Sequence, residues 1–281
     1  MTIRLHRMGS RAVRLLGCAA TLVAPAALAQ SSAPGWWFQL GGFRPSIDSS
    51  LRVDDAGGAN GTQFDAENVL GLPRRKTLAS GLIGVRLGDR WRLEVEHFNL
   101  NRSVRQFPIT ETVVIDDTTF PVSAQIDTDF DSKVTRVSGG YSFVKSDAAE
   151  LGMVIGAHVT NFEIGISGTF SSGGGAPATF RREERDATVP LPTVGLFGSV
   201  ALAPGLALNG RADVFSFSHR GYDGRLLNLQ ANVTWHFTPN IGIGAGYRYN
   251  DYRVEADRGE DFRGRLDYEF RGPVVFVDAR F

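Results

Sequence analysis

The 281-residue chain carries 30 Lys+Arg against 30 Asp+Glu, is 42% hydrophobic, and contains 33 Gly and a single Cys. Mean hydropathy is −0.11, and no uninterrupted apolar run reaches the roughly 20 residues that a membrane-crossing helix needs, which excludes a helical membrane protein. The balance of charge gives no basic field for nucleic acid. No phosphate-binding glycine motif, dinucleotide fingerprint or metal-ligand spacing appears, so no catalytic, cofactor-binding or metal residue is assigned.

Residues 1–29 differ from everything after them. Arg4, Arg7, Arg11 and Arg14 stand there without an acid, and the apolar stretch from Leu15 to Leu28, broken by Pro25, ends in Ala27-Leu28-Ala29. A basic start, a short apolar stretch and small residues at the end are the pattern of a secretory signal peptide. Cleavage is expected after Ala29, leaving 30–281 as one mature domain. Removing the leader's four arginines leaves 26 basic against 30 acidic side chains, a net charge of −4. Leu15-Leu16-Gly17-Cys18 resembles a lipoprotein box, but such a box must follow the apolar region, and this one directly follows Arg11 and Arg14; lipidation is not expected. Cys18 departs with the leader, which removes disulfides, Cys-ligated zinc and cysteine nucleophiles from the mature chain.

From Trp36 onward the chain repeats a period of two. Ten segments carry it: Trp36 to Ser46, Thr77 to Leu87, Trp91 to Arg102, Lys133 to Val144, Leu151 to Ile164, Leu191 to Leu202, Leu206 to Phe217, Leu226 to Phe237, Ile241 to Tyr252 and Leu266 to Phe281. In the eighth, Leu227, Leu229, Ala231, Val233, Trp235 and Phe237 alternate with Asn228, Gln230, Asn232, Thr234 and His236. A soluble sheet would bury the apolar face; a membrane barrel would turn it toward lipid. Each segment has the roughly 9–11 residues of a tilted membrane-spanning strand, against about 5–6 for an average soluble strand.

The connections alternate in length. Gly88 to Arg90, Lys145 to Glu150, Ala203 to Gly205 and Thr238 to Asn240 are tight turns rich in Gly, Pro, Asp or Asn. Ile47 to Lys76, Ser103 to Ser132, Gly165 to Pro190, Ser218 to Arg225 and Arg253 to Arg265 are long. Ile109 to Ile115 faces Phe120 to Ile126 across Asp116-Asp117 and is expected to be a projecting hairpin. Short periplasmic turns alternating with longer extracellular loops are the plan of an outer-membrane barrel, and an even strand count puts both termini on the periplasmic side.

At the chain end Phe281 follows Ala279, Val277 and Val275 at alternate positions, with Asp278 and Arg280 on the other face. This resembles the carboxy-terminal strand of Gram-negative outer-membrane β-barrel proteins. The resemblance is one of architecture, covers nearly all of the mature chain and brings no catalytic motif. It implies an outer-membrane location, passage with periplasmic chaperones, recognition by the barrel assembly machinery through that strand, and outer-membrane lipid and lipopolysaccharide as surroundings. Upstream on the same strand Leu266, Tyr268 and Phe270 lie on the opposite parity, which predicts a bulge near Gly272-Pro273, where Pro cannot donate to the ladder. Asp65 to Leu72, Phe98 to Arg102 and Pro190 to Gly195 resemble motifs of uncharacterised proteobacterial barrels.

The fold expected is therefore all-β: an antiparallel up-and-down transmembrane β-barrel of ten strands, with eight or twelve as alternatives. Its lumen face collects Arg86, Arg92, Glu94, Glu96, Arg136, His158, Arg211, Asp213, Arg248, Asp278 and Arg280, with Asn209, Asn228, Gln230 and Asn232 among them. Buried charges must be paired or hydrated, so Glu94, Glu96, Asp213 and Asp278 are expected to neutralise the arginines. Eight strands leave an interior filled by side chains and sixteen an aqueous channel; ten should be mostly plugged. The function expected is a surface or structural one without catalysis. Two alternatives stay open, a narrow solute channel and a lipid- or peptide-cleaving hydrolase at the rim. Candidates for the latter are Ser216, Ser218 and His219, and the carboxylates Asp127, Asp129, Asp131 and Asp223. His97 falls on the lipid parity. Arg181, Arg182 and Arg185 could meet lipopolysaccharide phosphates, and Ser171 to Gly175 reads as a loop tip.

Overall fold

Alternation of apolar and polar residues puts successive side chains on opposite faces of a strand. In the computed structural model, which describes residues 35–54, 63–115, 118–122, 124–170, 178–219, 222–256 and 263–281, the strands are long. They are β1 (Trp36–Phe43), β2 (Ser46–Asp54), β3 (Gln63–Asp65), β4 (Leu78–Leu87), β5 (Trp91–Pro108), β6 (Val113–Ile115), β7 (Thr118–Phe120), β8 (Gln125–Lys145), β9 (Ala149–Phe170), β10 (Ala178–Ala203), β11 (Leu206–His219), β12 (Tyr222–His236), β13 (Ile241–Ala256) and β14 (Arg263–Arg280), with one helical turn, α1 (Ala66–Val69). Strand neighbours follow chain order, and β1 pairs with β14 from Trp37↔Arg280 to Phe43↔Val274, so the sheet closes on itself. β1 and β2 keep the same register on β14, with Ser46 opposite Arg271. They form one wall position interrupted at Arg44-Pro45, and the barrel has ten strand positions.

The exterior is apolar where the alternation predicts it: Leu40, Leu93, Val137, Met153, Ile155, Leu196, Leu229, Val233 and Val277 are exposed. An aromatic ring rims this belt at the end with the short turns. Trp91 meets Tyr141 at 5.0 Å, Trp235 meets Phe237 at 6.0 Å and Phe38 meets Phe281 at 6.3 Å between centroids. Such a girdle marks the edge of the lipid-facing zone in membrane barrels. Inside, glycines give the larger side chains room: a Cβ at Gly244 would fall 2.3 Å from a ring atom of Phe276, and one at Gly84 would fall 2.1 Å from the indole of Trp37.

Two sequence expectations change. β14 has no bulge at Gly272-Pro273; its register against β13 is unbroken from Ile241↔Ala279 to Ala256↔Gly264. Leu266, Tyr268 and Phe270 share the lumen parity of Phe276 and Asp278, so the shift in apolar pattern is a change in what the lumen contains. Phe281 donates to Trp36 on β1, so alternate residues, Pro273 included, face that edge, and the donor Pro273 lacks falls at the Arg44-Pro45 interruption, where Arg44 donates to its carbonyl at 3.0 Å. The long connections are also largely strand. β5, β8, β9 and β10 run past the lipid-facing belt to Pro108, Gln125, Phe170 and Ala178, and Ile47 to Asp54 continues the first wall strand as β2. Backbone pairing carries a strand beyond the belt without apolar alternation on its outer face, which is the signal that ends there. β6 and β7 pair as the projecting hairpin, Val113↔Phe120 to Ile115↔Thr118.

The wall has two seams at the end with the long loops. β4 begins only at Leu78, opposite Phe43, so beyond it no wall strand among the described residues separates β2 from β5. The chain fills that space itself: β3 pairs with β2 from Ser50↔Asp65 to Arg52↔Gln63, and α1 follows. Asp65 caps α1, accepting from the Asn68 N–H at 2.7 Å. The second seam lies between β10 and β11, whose ladder ends at Val194↔Val214 while β10 continues on β9 to Ala178↔Phe170. Ala201 donates to Ala148 on the β9 side. Neighbouring residues point to opposite edges, so the even-numbered ones, among them Pro190 and Pro192, face β11. Two successive donors are missing on that edge, and there the strands part.

Candidate functional site

The lumen is layered. Nearest the short turns, Asp278 is fully buried and accepts from Gln39 at 2.9 Å, His236 at 2.7 Å and Arg280 at 2.7 Å. Beside it Arg86 grips Glu150 through both Nη atoms at 3.0 and 2.9 Å. One layer up, Arg92 pairs with Glu94, Glu94 with Arg211 at 2.6 Å, and Arg211 with Asp213 at 2.8 Å; Asn228 also donates to Asp213, at 2.6 Å. The guanidinium of Arg92 lies between the rings of Phe197 and Trp37, at 4.3 and 5.0 Å. Next, Glu96 joins Arg136 at 2.9 Å and Arg248 at 2.6 Å, Arg136 reaches Asp213 at 3.6 Å, and His158 Nδ1 meets the Tyr252 hydroxyl at 3.1 Å.

These contacts bring Arg86, Arg92, Glu94, Glu96, Arg136, His158, Arg211, Asp213, Arg248, Asp278 and Arg280 into one lumen. Asn209 donates to Asn232 at 3.0 Å and Gln230 to Asn228 at 3.4 Å, which ties in the amides. Sequence reasoning missed Glu150, placed in a turn, and Gln39, His236 and Tyr252. Glu150 shares its parity with Gly152 on β9, a signal that could have been read had the strand been started two residues earlier. Arg211 Nη2 and Arg248 Nη1 are buried without a protein partner, and donors in such places take water.

Above the charges the lumen turns apolar. Phe43, Phe98, Phe130, Phe162, Tyr252, Tyr268 and Phe270 are all buried, with Tyr268 and Phe270 5.2 Å and Phe98 and Phe270 5.7 Å apart. Over them sits the segment from Gln63 to Leu72, which buries Phe64, Val69, Leu70 and Leu72. Its Glu67, wholly enclosed, pairs with the equally enclosed Arg102 of β5 and accepts from the Ser49 N–H of β2 at 2.8 Å. Two of the motif-like segments, Asp65 to Leu72 and Phe98 to Arg102, are thus the two halves of one buried contact. Nothing in the strand periodicity announces it, because Glu67 lies outside the alternation.

The rim candidates do not converge. Asp127 accepts from the Gln106 N–H at 2.7 Å and Asp129 pairs with Arg105 at 2.8 Å, both on the outside of β8. Ser216 and Ser218 are exposed, and Asp223 stands opposite Ser218. The side chains of His219, Arg181, Arg182 and Arg185, and residues 171–175, lie outside the described residues. His97 faces outward and meets Thr135 at 2.9 Å. Among the described residues no group of three His, Cys, Asp or Glu could hold a metal ion.

A closed antiparallel barrel, apolar outside, rimmed by aromatics and filled with paired charges, exposes to its surroundings what a soluble protein buries. Among solved structures it is similar to the outer membrane protease OmpT of Escherichia coli, with a TM-score of 0.60, 12% identity, and coverage of 88% of this chain and 96% of that one. The fold is that of an outer-membrane β-barrel. Other similar outer-membrane structures are the Pseudomonas putida toluene transporter TodX (TM-score 0.35, 11% identity, 89% and 93% covered) and the Yersinia pestis attachment invasion locus protein Ail (0.32, 12%, 86% and 98%). No family model and no curated protein matches the chain. The barrel lies in the Gram-negative outer membrane.

Proposed function

We propose that this outer-membrane barrel is a non-conducting surface protein whose lumen serves to hold its wall rigid, with no catalysis in the axis or at the described rim. The observation that carries the reading is the stacking of three obstacles on one axis: the salt-bridge layers, the aromatic layer and the Glu67–Arg102 plug. Water around Arg211 and Arg248 has no polar route through the rings of Phe43, Phe98 and Phe270. Purified protein reconstituted in planar bilayers should give no discrete conductance; stepwise currents in wild type would establish the channel reading. Release of acyl chains from lipid or of fragments from peptides, abolished by His219→Ala, would establish the hydrolase reading.

Assembly follows the same reading. The leader at 1–29 would direct export, periplasmic chaperones would deliver the chain, and Phe281 with Ala279, Val277 and Val275 would present the terminal strand to the barrel assembly machinery. Phe281 is exposed on the girdle at the short-turn end, and its backbone pairs with Trp36 at 2.9 Å in both directions, so the side chain is free to be read while the backbone closes the barrel. Deleting Phe281 should lower the amount of heat-modifiable barrel in the outer membrane. Unchanged amounts would remove the assembly role.

A further inference from the structure

The β10–β11 seam opens a slot of about 890 Å³ in the barrel wall. Ile155, Val194 and Val214 line it from the lipid-facing side, and Thr193, Phe215 and Leu226 from the lumen side. Its volume falls in the range of roughly 300–1,000 Å³ typical of small-molecule sites. The slot starts where the lipid-facing belt ends on the outer side, so its apolar mouth is continuous with the outer leaflet. Two polar groups stand at that level. Ser216, exposed, lines the slot just beyond the last β10–β11 pair, Val194↔Val214. Arg225, 54% exposed, lines the slot and is held by Asp251 at 2.7 Å. Its cross-strand neighbour on the same outward face is Arg253.

We propose that this slot holds one acyl chain of lipid A, the phosphorylated glycolipid of the outer leaflet, with a phosphate met by Arg225 and the Ser216 hydroxyl. Apolar lining suits the chain, and an exposed guanidinium beside an exposed hydroxyl suits the phosphate. A β-strand from a peptide or a second copy is the poorer occupant, because Pro190 and Pro192 leave the β10 edge without the donors that strand addition requires.

The test is native mass spectrometry of the purified full chain in detergent, titrated separately with lipid A and with phosphatidylethanolamine. Wild type should retain one lipid A under conditions that strip phosphatidylethanolamine. Ser216→Trp, which fills the slot from an exposed position, should cut retention by about tenfold, an effect of built-in exclusion; Arg225→Ala should weaken it several-fold. Pro190→Thr/Pro192→Val, which restores donors and lets the seam zip, should also lose the lipid. Ile83→Trp, exposed on β4 across the barrel from the slot, should retain it, and heat-modifiable migration checks that each variant is folded. Equal retention by Ser216→Trp, equal loss by Ile83→Trp, equal retention of phosphatidylethanolamine, or a dimer occupying this face would each overturn the proposal.

Discussion

The two seams of the outer wall face the same difficulty and resolve it differently. Between β2 and β5 the missing strand is replaced by the chain's own Gln63 to Leu72, and the contact that locks it, Glu67 with Arg102, is fully enclosed. Between β10 and β11 no segment of the described chain is inserted, and the wall stays parted above Val194. The first seam points into an aromatic core and behaves like the interior of a soluble protein; the second opens on lipid. A gap is tolerated where the bilayer can cover it and must be filled by protein where it leads to the axis.

The sharpest way to break this contrast is at the filled seam. Glu67→Ala leaves Arg102 buried without its carboxylate and should cost about 3–5 kcal/mol, the range for removing one partner of a buried pair. Urea unfolding in lipid vesicles measures it. Because the rings of Phe130 and Tyr268 lie against Arg102, Glu67→Met/Arg102→Met should recover most of the loss, as well-packed apolar replacements do. The parallel experiment lower in the lumen should differ. Glu96→Met/Arg136→Met strands Arg248 and loosens Asp213, so the double variant should stay several kcal/mol below wild type. Equal recovery at both places would mean that the two lumen zones are not physically distinct.

The aromatic layer comes next. Phe270 is fully buried and touches Phe43, Phe98, Tyr252 and Tyr268, so Phe270→Ala should cost about 3–5 kcal/mol in the same assay, the usual figure for a core Phe. A loss under about 1 kcal/mol would show that this part of the lumen is not close-packed. On the outside, Leu229→Arg puts a charge on the lipid-facing belt and should cost about 2 kcal/mol, toward the lower bound of midplane values; a neutral result would place Leu229 outside the hydrocarbon.

What the sequence showed and what it concealed follow the same boundary. Inside the belt, each strand has an apolar side in contact with lipid and a polar side in the lumen. The alternation in Leu227 to Phe237 therefore names the lumen residues directly, Asn228, Gln230 and Asn232 among them. Above the belt the rule inverts. Tyr268 and Phe270 point inward and Asp127, Asp129 and Asp131 outward, so an unchanged register reads as a bulge and a continuing strand reads as a loop. Glu67 and Glu150 were hidden for a simpler reason: a fold-back and a turn end have no period, and their partners Arg102 and Arg86 are defined only once the barrel closes. The β10–β11 seam was written in Pro190 and Pro192, but two prolines show which edge they strip only when the pairing of Ala201 with Ala148 fixes the direction of each N–H.

The smallest effects belong at the open seam. Arg225 and Asp251 form an exposed pair, and such pairs contribute about 0–1 kcal/mol because water and salt screen them and two side chains must be ordered to meet. Arg225→Ala should therefore leave the unfolding free energy in vesicles of phosphatidylethanolamine and phosphatidylglycerol within that margin. In vesicles containing lipid A the same variant should lose any added stability that the lipid confers on wild type, since a ligand that binds only the folded barrel stabilises it by RT ln(1 + L/Kd) at free ligand concentration L. The filled seam should be indifferent to that exchange of lipid, because Glu67, Arg102 and Ser49 touch none of it. A lipid-dependent change at Arg225 with none at Glu67 would separate a wall closed by the chain from a wall closed by the membrane.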